Sequence, residues 1–329
     1  MSEKVKPTMK PPVATGLHMD ILTDNELDEL HESTLQVLEK TGIFIENKAA
    51  MDCFEAAGAQ VDRKGGVVKI PPQLVENAIQ SAPSKVLLAG RDPKHDLVLG
   101  ENKVHFTNFS EGVKINDPYT GENRSPIKKD LVETARVIDY LDEIDFCEKA
   151  IGAHDVPQET VPLHNAEAFL TNTTKHCAFG PGNGKLLNKI MEMAAVIVGG
   201  VKQLAERPIV SFTTCPVSPL KLIKECCEII MVSAQNNVVC NILSMAMAGA
   251  TSPATLAGTL VTHNAEILGG LTLSQLTYKG APVIYGSSTT AMDLKLAEAS
   301  VGTPECALIS GAVARLARYY ALPSYVAGG

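Results

Sequence analysis

The pattern of hydrophobic and polar residues near the N-terminus is helical, with leucines recurring on one face of residues 23–42. Thr23 and Glu26 have the spacing of a capping box, and Gly42 suits the C-terminal end of the helix. Shorter patterns predict helices at 48–57 and 71–82 and strands at 67–70 and 86–89. These elements predict an N-terminal α+β extension over residues 1–103.

From residue 104 onward, β-rich apolar segments alternate with helical segments, which is typical of parallel βα units. We predict strands at 104–108, 146–151, 176–180, 209–213, 239–244, 282–286 and 324–328. We predict helices at 126–141, 160–173, 186–201, 219–234, 254–277 and 304–320. This α/β pattern predicts a (β/α)₈ TIM barrel over residues 104–329. With about seven strands, one fewer than a closed barrel needs, we expect the barrel to be incomplete in this chain, without its C-terminal end.

Composition and charge argue against two kinds of binding partner, nucleic acid and membranes. The 329 residues carry a formal net charge of -8, so we expect no surface for nucleic acid or for an anionic membrane. Residues 1–12 contain lysines and prolines but no apolar core of a signal peptide, and no later segment has the length and apolarity of a membrane span. We therefore expect a cytoplasmic protein.

The cysteine pattern gives no sign of a structural metal site. Eight cysteines are dispersed without a C-x-x-C pair, which argues against a disulfide framework and a zinc knuckle, and we expect them to be mostly buried. A zinc site could be built from His154, His176 and Cys215, but their spacing does not require one, and we expect no bound metal. The glycine-rich stretch at 180–184 lacks the order of a phosphate-binding loop and predicts a turn.

Polar residues that follow the predicted strands are the first candidates for chemistry, because barrel active sites lie at the carboxyl ends of the strands. Such residues occur in segments 108–112 (including Glu111), 244–253 and 285–290. Glu266 lies with His263 inside an otherwise apolar helical segment, where a buried carboxylate would be costly without a partner or a function. An ion-paired or solvated structural role is the alternative for Glu266, and a structural role is the expectation for His263.

Several of these segments resemble one known family. They are residues 241–249 (NILSMAMAG), 256–266 (LAGTLVTHNAE), 285–290 (YGSSTT) and 322–328 (LPSYVAG), with 35–42 (LQVLEKTG) near the N-terminus. In these segments the chain resembles the trimethylamine:corrinoid methyltransferases, and the resemblance extends over essentially the whole sequence.

The resemblance implies a barrel enzyme that transfers a methyl group from trimethylamine to the Co(I) corrinoid of a separate corrinoid protein. It implies no directly bound cofactor, a symmetric homo-oligomer, and pyrrolysine directly after Gly329, where this chain ends. By the same resemblance Glu266 is the expected hydrogen-bond partner or general acid to pyrrolysine. The residues expected to line the substrate chamber are Tyr285, Ser287, Ser288 and Tyr325.

Two alternatives stay open. A relative without pyrrolysine would demethylate a quaternary amine such as glycine betaine, which is already cationic and needs no covalent activation. A chain of this length could instead be a catalytically inactive, truncated binding protein for methylamines or for the corrinoid protein, although the exposed strand edge argues against it.

Overall fold

The structure is a computed structural model that describes residues 20–100, 103–110 and 112–327. Four features considered in the sequence lie outside these ranges: the N-terminal segment 1–12, Glu111, residue 328 of the last predicted strand, and the position after Gly329. Within the described ranges, the chain folds into an N-terminal α+β part and a curved parallel sheet covered by helices.

The N-terminal part confirms the three predicted helices. The Thr23 hydroxyl and the Glu26 carboxylate form the predicted capping box of α1, and a π-helical turn at Val37–Thr41 carries the chain to Gly42. The elements are α1 (Asp24–Gln36), β1 (Ile43–Ile45), α2 (Lys48–Ala56), β2 (Gln60–Asp62), β3 (Val67–Lys69), α3 (Pro72–Ser81), β4 (Val86–Leu88) and β5 (Leu97–Leu99).

The rest of the chain alternates strands and helices. Its strands are β6 (Ile115–Asn116), β7 (Asn123–Arg124), β8 (Cys147–Glu148), β9 (Cys177–Phe179), β10 (Val210–Thr214), β11 (Lys221–Leu222), β12 (Cys240–Ser244), β13 (Met247–Ala248), β14 (Val283–Ser287), β15 (Thr290–Asp293), β16 (Glu298–Ser300) and β17 (Ser324–Val326). Its helices are α4 (Lys128–Tyr140), α5 (Val161–Asn172), α6 (Gly184–Val198), α7 (Val201–Glu206), α8 (Lys224–Gln235), α9 (Leu256–Thr277) and α10 (Pro304–Tyr319).

Six of the predicted strands form one parallel sheet in the order β17-β14-β12-β10-β9-β8. The sheet curves strongly enough to bring its two edge strands close to each other. The Tyr325 hydroxyl on one edge strand donates to Glu148 Oε2 on the other edge strand at 2.7 Å. The sheet is therefore a half-barrel whose two edges meet across its concave side.

Two predicted elements were wrong in part. Residues 104–108 form no strand: Thr107 makes a single parallel bridge with Phe146, while the Asp145 carboxylate accepts the Phe106 N–H at 2.7 Å in place of a backbone carbonyl. The helix predicted at 219–234 begins only at Lys224, because Lys221–Leu222 instead forms β11 and pairs in parallel with β1. That pairing joins residues about 180 positions apart, which a local pattern cannot reveal.

The hairpin of β4 and β5 packs at the end of the half-barrel where the parallel strands begin, here called the base. Its apolar residues form a separate core cluster with inward-facing residues of the sheet: Val86, Leu88, Leu97, Phe146, Ala178, Val239 and Ile284. Arg207, which precedes β10, makes an ion pair with Asp96 of the hairpin at 2.6 Å. The buried His176 ring contacts Ala89 O at 3.1 Å and Ser211 Oγ at 2.9 Å, and burial lowers its pKa to about 4.

Candidate active site

The concave side of the sheet encloses a cavity of about 1770 Å³. It extends from the β4–β5 hairpin at the base to the loops that follow the strands. Side chains alternate along a strand, so every second residue of each strand points into the cavity. On β12 and β14 these are Asn241, Leu243 and Ile284, followed by Ser288 beyond the end of β14.

A hydrogen bond between two polar side chains joins the edge strands of the sheet across the cavity. Glu148 is buried on β8, lines the cavity and accepts a hydrogen bond from the Tyr325 hydroxyl. Burial and the adjacent carboxylate raise the pKa of Tyr325 well above its ordinary value, so the phenol stays protonated as the donor. The Asn108 side chain fixes the Glu148 backbone, accepting from its N–H at 2.9 Å and donating to its carbonyl at 2.7 Å.

Asn241 is the second buried polar group on this side of the sheet. Its side chain is only 5% exposed, and its amide nitrogen makes one long contact, 3.5 Å to Thr213 Oγ1 on the neighbouring strand. Its carboxamide oxygen has no hydrogen-bond partner among the described residues. A buried acceptor without a donor costs about 1–3 kcal/mol. This oxygen has almost no accessible surface, so the protein itself encloses it.

Glycine at position 286 makes room for this carboxamide. A Cβ atom built on Gly286 would collide with Asn241 Oδ1 and would lie 2.8 Å from Ile242 O. Gly286 is also the register partner of Tyr325 on β17. Asn241 and Tyr325 therefore lie on either side of one glycine, on the same face of the sheet.

The structure brings together two of the four residues predicted to line the chamber. Ser288 and Tyr325 line the cavity. Tyr285 and Ser287 are fully buried on the opposite face of β14, because strand alternation separates them from Ile284 and Gly286. The Tyr285 hydroxyl donates to Asn264 Oδ1 of α9 at 2.7 Å, so Tyr285 faces the helix layer rather than the chamber.

Glu266 lies in the middle of α9, is fully buried, and is not among the described residues that line the cavity. Its Oε2 accepts from Ser244 Oγ at 2.6 Å and from Ser218 Oγ at 2.9 Å, and its Oε1 accepts from the Leu220 N–H at 2.9 Å. Burial raises the pKa of Glu266, and these three hydrogen bonds oppose the rise. Ser218 itself lines the cavity, so Glu266 contacts the site through one intervening residue.

The remaining candidate residues for catalysis or metal binding lie apart from one another. His263 is buried with Nδ1 2.9 Å from Thr289 Oγ1, and burial lowers its pKa to about 3. His154 is exposed, His176 lies at the base and Cys215 lines the cavity, so the three do not form one site. Across residues 20–100, 103–110 and 112–327, no group of three or more His, Cys, Asp or Glu side chains is arranged to hold a metal ion.

Sequence reasoning missed Glu148 and Asn241. Both lie inside predicted strands rather than in the loops that follow them, and barrel active sites are expected in those loops. The signal was present: strand residues two apart share a face, and each of these residues is a polar position on the inward face of its strand. A count of polar positions on the inward face of each strand would have found both.

The comparisons with known proteins agree with this fold. The family model described as trimethylamine methyltransferase (MTTB) matches residues 1–329. The crystal structure of Methanosarcina barkeri monomethylamine methyltransferase (MtmB) is similar, with a TM-score of 0.59 and 13% identity, over 92% of this chain and 61% of that chain. At that identity the likeness establishes the α/β fold alone.

Two curated relatives differ in the substrate that their names give. Trimethylamine methyltransferase MttB of Desulfitobacterium hafniense (strain DSM 10664 / DCB-2) is 50% identical over 95% of this chain and 63% of its own length. Glycine betaine methyltransferase of Desulfitobacterium hafniense (strain Y51) is 32% identical over 94% of this chain and 64% of its own length. The chain thus spans a little under two thirds of the relatives that it matches.

Proposed function

Because the chain belongs to the trimethylamine methyltransferase (MTTB) family, we propose that the full-length protein transfers a methyl group from trimethylamine to the Co(I) corrinoid of a partner protein. The similarity to a trimethylamine methyltransferase at 50% identity carries the proposal. The cavity supports it, because the buried Glu148 carboxyl group lies among apolar walls, which suits binding of a small methylated ammonium ion.

The rim of the cavity supports a corrinoid partner. Phe109 (73% exposed), Met245 (50%) and Val217 (44%) are exposed apolar residues that also line the cavity. An apolar rim suits the flat face of a corrin ring, because both surfaces lose contact with water on docking. The corrinoid supplies the nucleophile that takes the methyl group, while this chain binds and orients the amine and excludes water.

Methyl transfer to a purified corrinoid protein is the direct test. The full-length protein is mixed with the cognate Co(I) corrinoid protein and one amine at a time, and methylation of cobalt is followed by its absorption spectrum. We expect methylation with trimethylamine, and little with dimethylamine, monomethylamine or glycine betaine. Transfer from glycine betaine alone would contradict the proposal, and amine binding without any transfer would favour the inactive binding protein.

We propose that the half-barrel is part of a complete (β/α)₈ barrel in which pyrrolysine directly follows Gly329. Strand β17 is parallel to β14, so its carboxyl end points toward the same edge of the sheet as the other strands, where barrel enzymes place their catalytic groups. Mass spectrometry of the native protein, on a peptide spanning Gly329, tests this proposal. A pyrrolysine residue is expected there, and an ordinary residue would favour the betaine-type enzyme.

We propose Tyr325 and Ser288 as substrate-binding residues, with Glu148 as the acceptor that orients Tyr325. A general-acid role for Glu266 stays a prediction, and the contacts of its carboxylate favour a positioning role. Each of its three hydrogen bonds leads to the loop of residues 215–222 or to the end of β12. For Tyr285 and Ser287, the hydrogen bonds support a structural role in the layer between sheet and helices.

The betaine-type activity is the second candidate function. It rests on the more distant relative named glycine betaine methyltransferase. The substrate that it implies is a quaternary ammonium ion, which has no N–H to donate. The higher identity to the relative named trimethylamine methyltransferase, 50% against 32%, favours trimethylamine over this alternative.

We further propose that the protein works in the cytoplasm as a homo-oligomer, with residues 1–103 as an extension packed on the barrel domain 104–329. No helix in the described part of the chain is long and apolar enough to span a membrane. Exposed Tyr140 on α4 and Val196 on α6 supply apolar surface for an interface between copies. Light scattering of the purified full-length protein tests the oligomer.

A further inference from the structure

The Tyr325 side chain reaches across the cavity from one edge strand of the sheet to the other. Its ring packs against the apolar cluster at the base, and its hydroxyl donates to Glu148 Oε2 at 2.7 Å. The backbone of Tyr325 lies beside Gly286 in the parallel sheet. The side chain is therefore held by its own strand, by the base and by the opposite edge strand.

The acceptor of this hydrogen bond is itself fixed. Glu148 is 6% exposed, and its strand β8 pairs with β9 on one side. On the other side, the Asn108 side chain accepts from the Glu148 N–H at 2.9 Å and donates to the Glu148 carbonyl at 2.7 Å. Asn108 thus takes the place of the backbone of a neighbouring strand. The Tyr325 hydroxyl therefore meets a carboxyl group on a well-held strand.

The level of Tyr325 along the strands separates the base from the loops. Inward-facing residues of one strand follow each other at about 6–7 Å. On β14, Ile284 belongs to the base cluster, Gly286 is level with Tyr325, and Ser288 lines the cavity toward the loops. The base cluster residues are only 1% to 7% exposed, so little of their surface is open. The open part of the cavity therefore lies on the loop side of Tyr325.

We propose that the Tyr325 ring and the Glu148 carboxyl group form the floor of the substrate chamber and limit the size of the ammonium ion that it accepts. This inference rests on the proposed function, because it takes the ligand to be a methylated amine. An aromatic ring and a carboxyl group are both favourable neighbours of an alkylammonium ion, so the ion rests on this floor.

A floor is needed because the cavity as a whole is too large to select a small ion. Its volume of about 1770 Å³ exceeds the roughly 300–1,000 Å³ of pockets for drug-sized ligands. The ring closes off the base, and an ion that rests on the ring has no room below it for longer alkyl arms. Size selection then depends on one side chain, Tyr325.

Binding of two ions that differ only in the length of their arms tests the inference. Trimethylammonium and triethylammonium have the same charge and one N–H each, and every arm of triethylammonium is one methylene longer, so turning does not avoid the floor. Isothermal titration of the full-length protein at neutral pH should show trimethylammonium binding at least about tenfold more tightly, since one methylene in a closed pocket changes affinity by about 10- to 200-fold. Equal binding of the two ions would overturn the inference.

Substitutions at Tyr325 separate the ring from its hydroxyl. Tyr325→Ala opens the chamber toward the base and should lower the preference for trimethylammonium by about tenfold or more. If that variant does not fold, Tyr325→Leu carries the test: leucine still covers the base cluster but does not reach Glu148, and the preference should fall by at least about threefold. Tyr325→Phe keeps the ring and should stay within about threefold of the wild-type ratio. A wild-type ratio in the alanine and leucine variants, or a phenylalanine variant that resembles the alanine variant, would contradict the inference.

A matched control separates loss of packing from loss of the floor. Leu97 belongs to the base cluster but is not among the described residues that line the cavity. Leu97→Ala removes apolar volume below the floor and should leave the ratio within about threefold of the wild-type value. A shift as large as that of Tyr325→Ala would show that the chamber already reaches the base, and the inference would be wrong.

The same measurements distinguish this inference from the proposed function. If the wild-type protein transfers methyl groups from trimethylamine but the ratio does not depend on Tyr325, the inference fails alone. If it binds neither ion and transfers only from glycine betaine, the proposed function fails with it.

Discussion

Glu266 is a carboxylate whose burial and hydrogen bonding oppose each other. Burial in the middle of α9 favours its neutral form, while two serine hydroxyls and the Leu220 N–H favour the charged form. Burial is the larger effect, and the pKa lies above its ordinary value of 4.5. Its hydrogen bonds fix the loop that carries Ser218 to the cavity.

The Glu266→Gln variant separates a positioning role from an acid role. An amide can keep its oxygen on the Leu220 N–H while the two serine hydroxyls turn to accept from its NH₂ group. If Glu266 only positions the loop, the variant should lose less than about tenfold in the single-turnover rate of methyl transfer. If Glu266 is the general acid, the variant should lose about a hundredfold or more. Ser244→Ala is the matched control, because it removes one of the three hydrogen bonds to Glu266 and leaves the carboxyl group in place.

The same variant should alter the pH dependence of stability. Because the folded pKa of Glu266 is raised, its protonation stabilises the fold fully below the unfolded pKa of about 4.5, and this contribution is lost as pH rises through the folded pKa. Glu266→Gln lacks this titration. The free energy of unfolding of wild type minus that of the variant should fall as pH rises from about 4.5, and a difference that is constant with pH would contradict the raised pKa.

At the scale of elements, α9 connects the main parts of the fold. It is buried over most of its length, and Asn264 joins three neighbours by side-chain bonds. Asn264 Nδ2 donates to Thr34 Oγ1 of α1 at 2.9 Å and to the Tyr320 hydroxyl at 2.8 Å, and its Oδ1 accepts from Tyr285 of β14. This polar contact fixes how the N-terminal helix, the sheet and the last helix pack together.

Asn264→Leu should destabilise the fold strongly because it leaves two tyrosine hydroxyls and one threonine hydroxyl short of a buried partner. We expect a loss of about 3–5 kcal/mol in the free energy of unfolding, measured by urea denaturation and far-ultraviolet circular dichroism. Thr272→Val on the same helix removes only a bond to the helix's own Leu268 carbonyl and should cost less than about 1 kcal/mol. Equal losses in the two variants would show that Asn264 does not link these elements.

The sequence predicted elements with a strong local period and missed those defined by distant pairing. The capping box of α1 and the apolar strand β12 were visible as patterns, and both are confirmed. Strand β1 has three residues and gains its partner β11 only through the folded chain, so no local signal identifies it. On β14, strand alternation turns Tyr285 and Ser287 toward the helices, so Ser288 and Tyr325 are the two of the four expected chamber residues that line the cavity.

At the scale of the whole molecule, the N-terminal part completes the interior of the sheet. The β4–β5 hairpin supplies three apolar side chains to the base of the half-barrel, where they pack on inward-facing residues of β9, β14 and the segments before β8 and β12. Without the hairpin, these apolar residues would face water at the base of the cavity. The N-terminal part and the sheet should therefore unfold as one cooperative unit.

Truncating the hairpin side chain Leu88, which is 1% exposed, tests this cooperativity. Leu88→Ala leaves a cavity at the base, and we expect it to lower the free energy of unfolding by about 2–5 kcal/mol. Native-state hydrogen exchange should show the same loss of protection in β4, β12 and β14, because one unit opens. Leu296→Ala, at a residue 62% exposed between β15 and β16, should change stability by less than about 0.5 kcal/mol. Loss of protection confined to β4 and β5 would show instead that the hairpin opens independently and that the half-barrel keeps its stability without it.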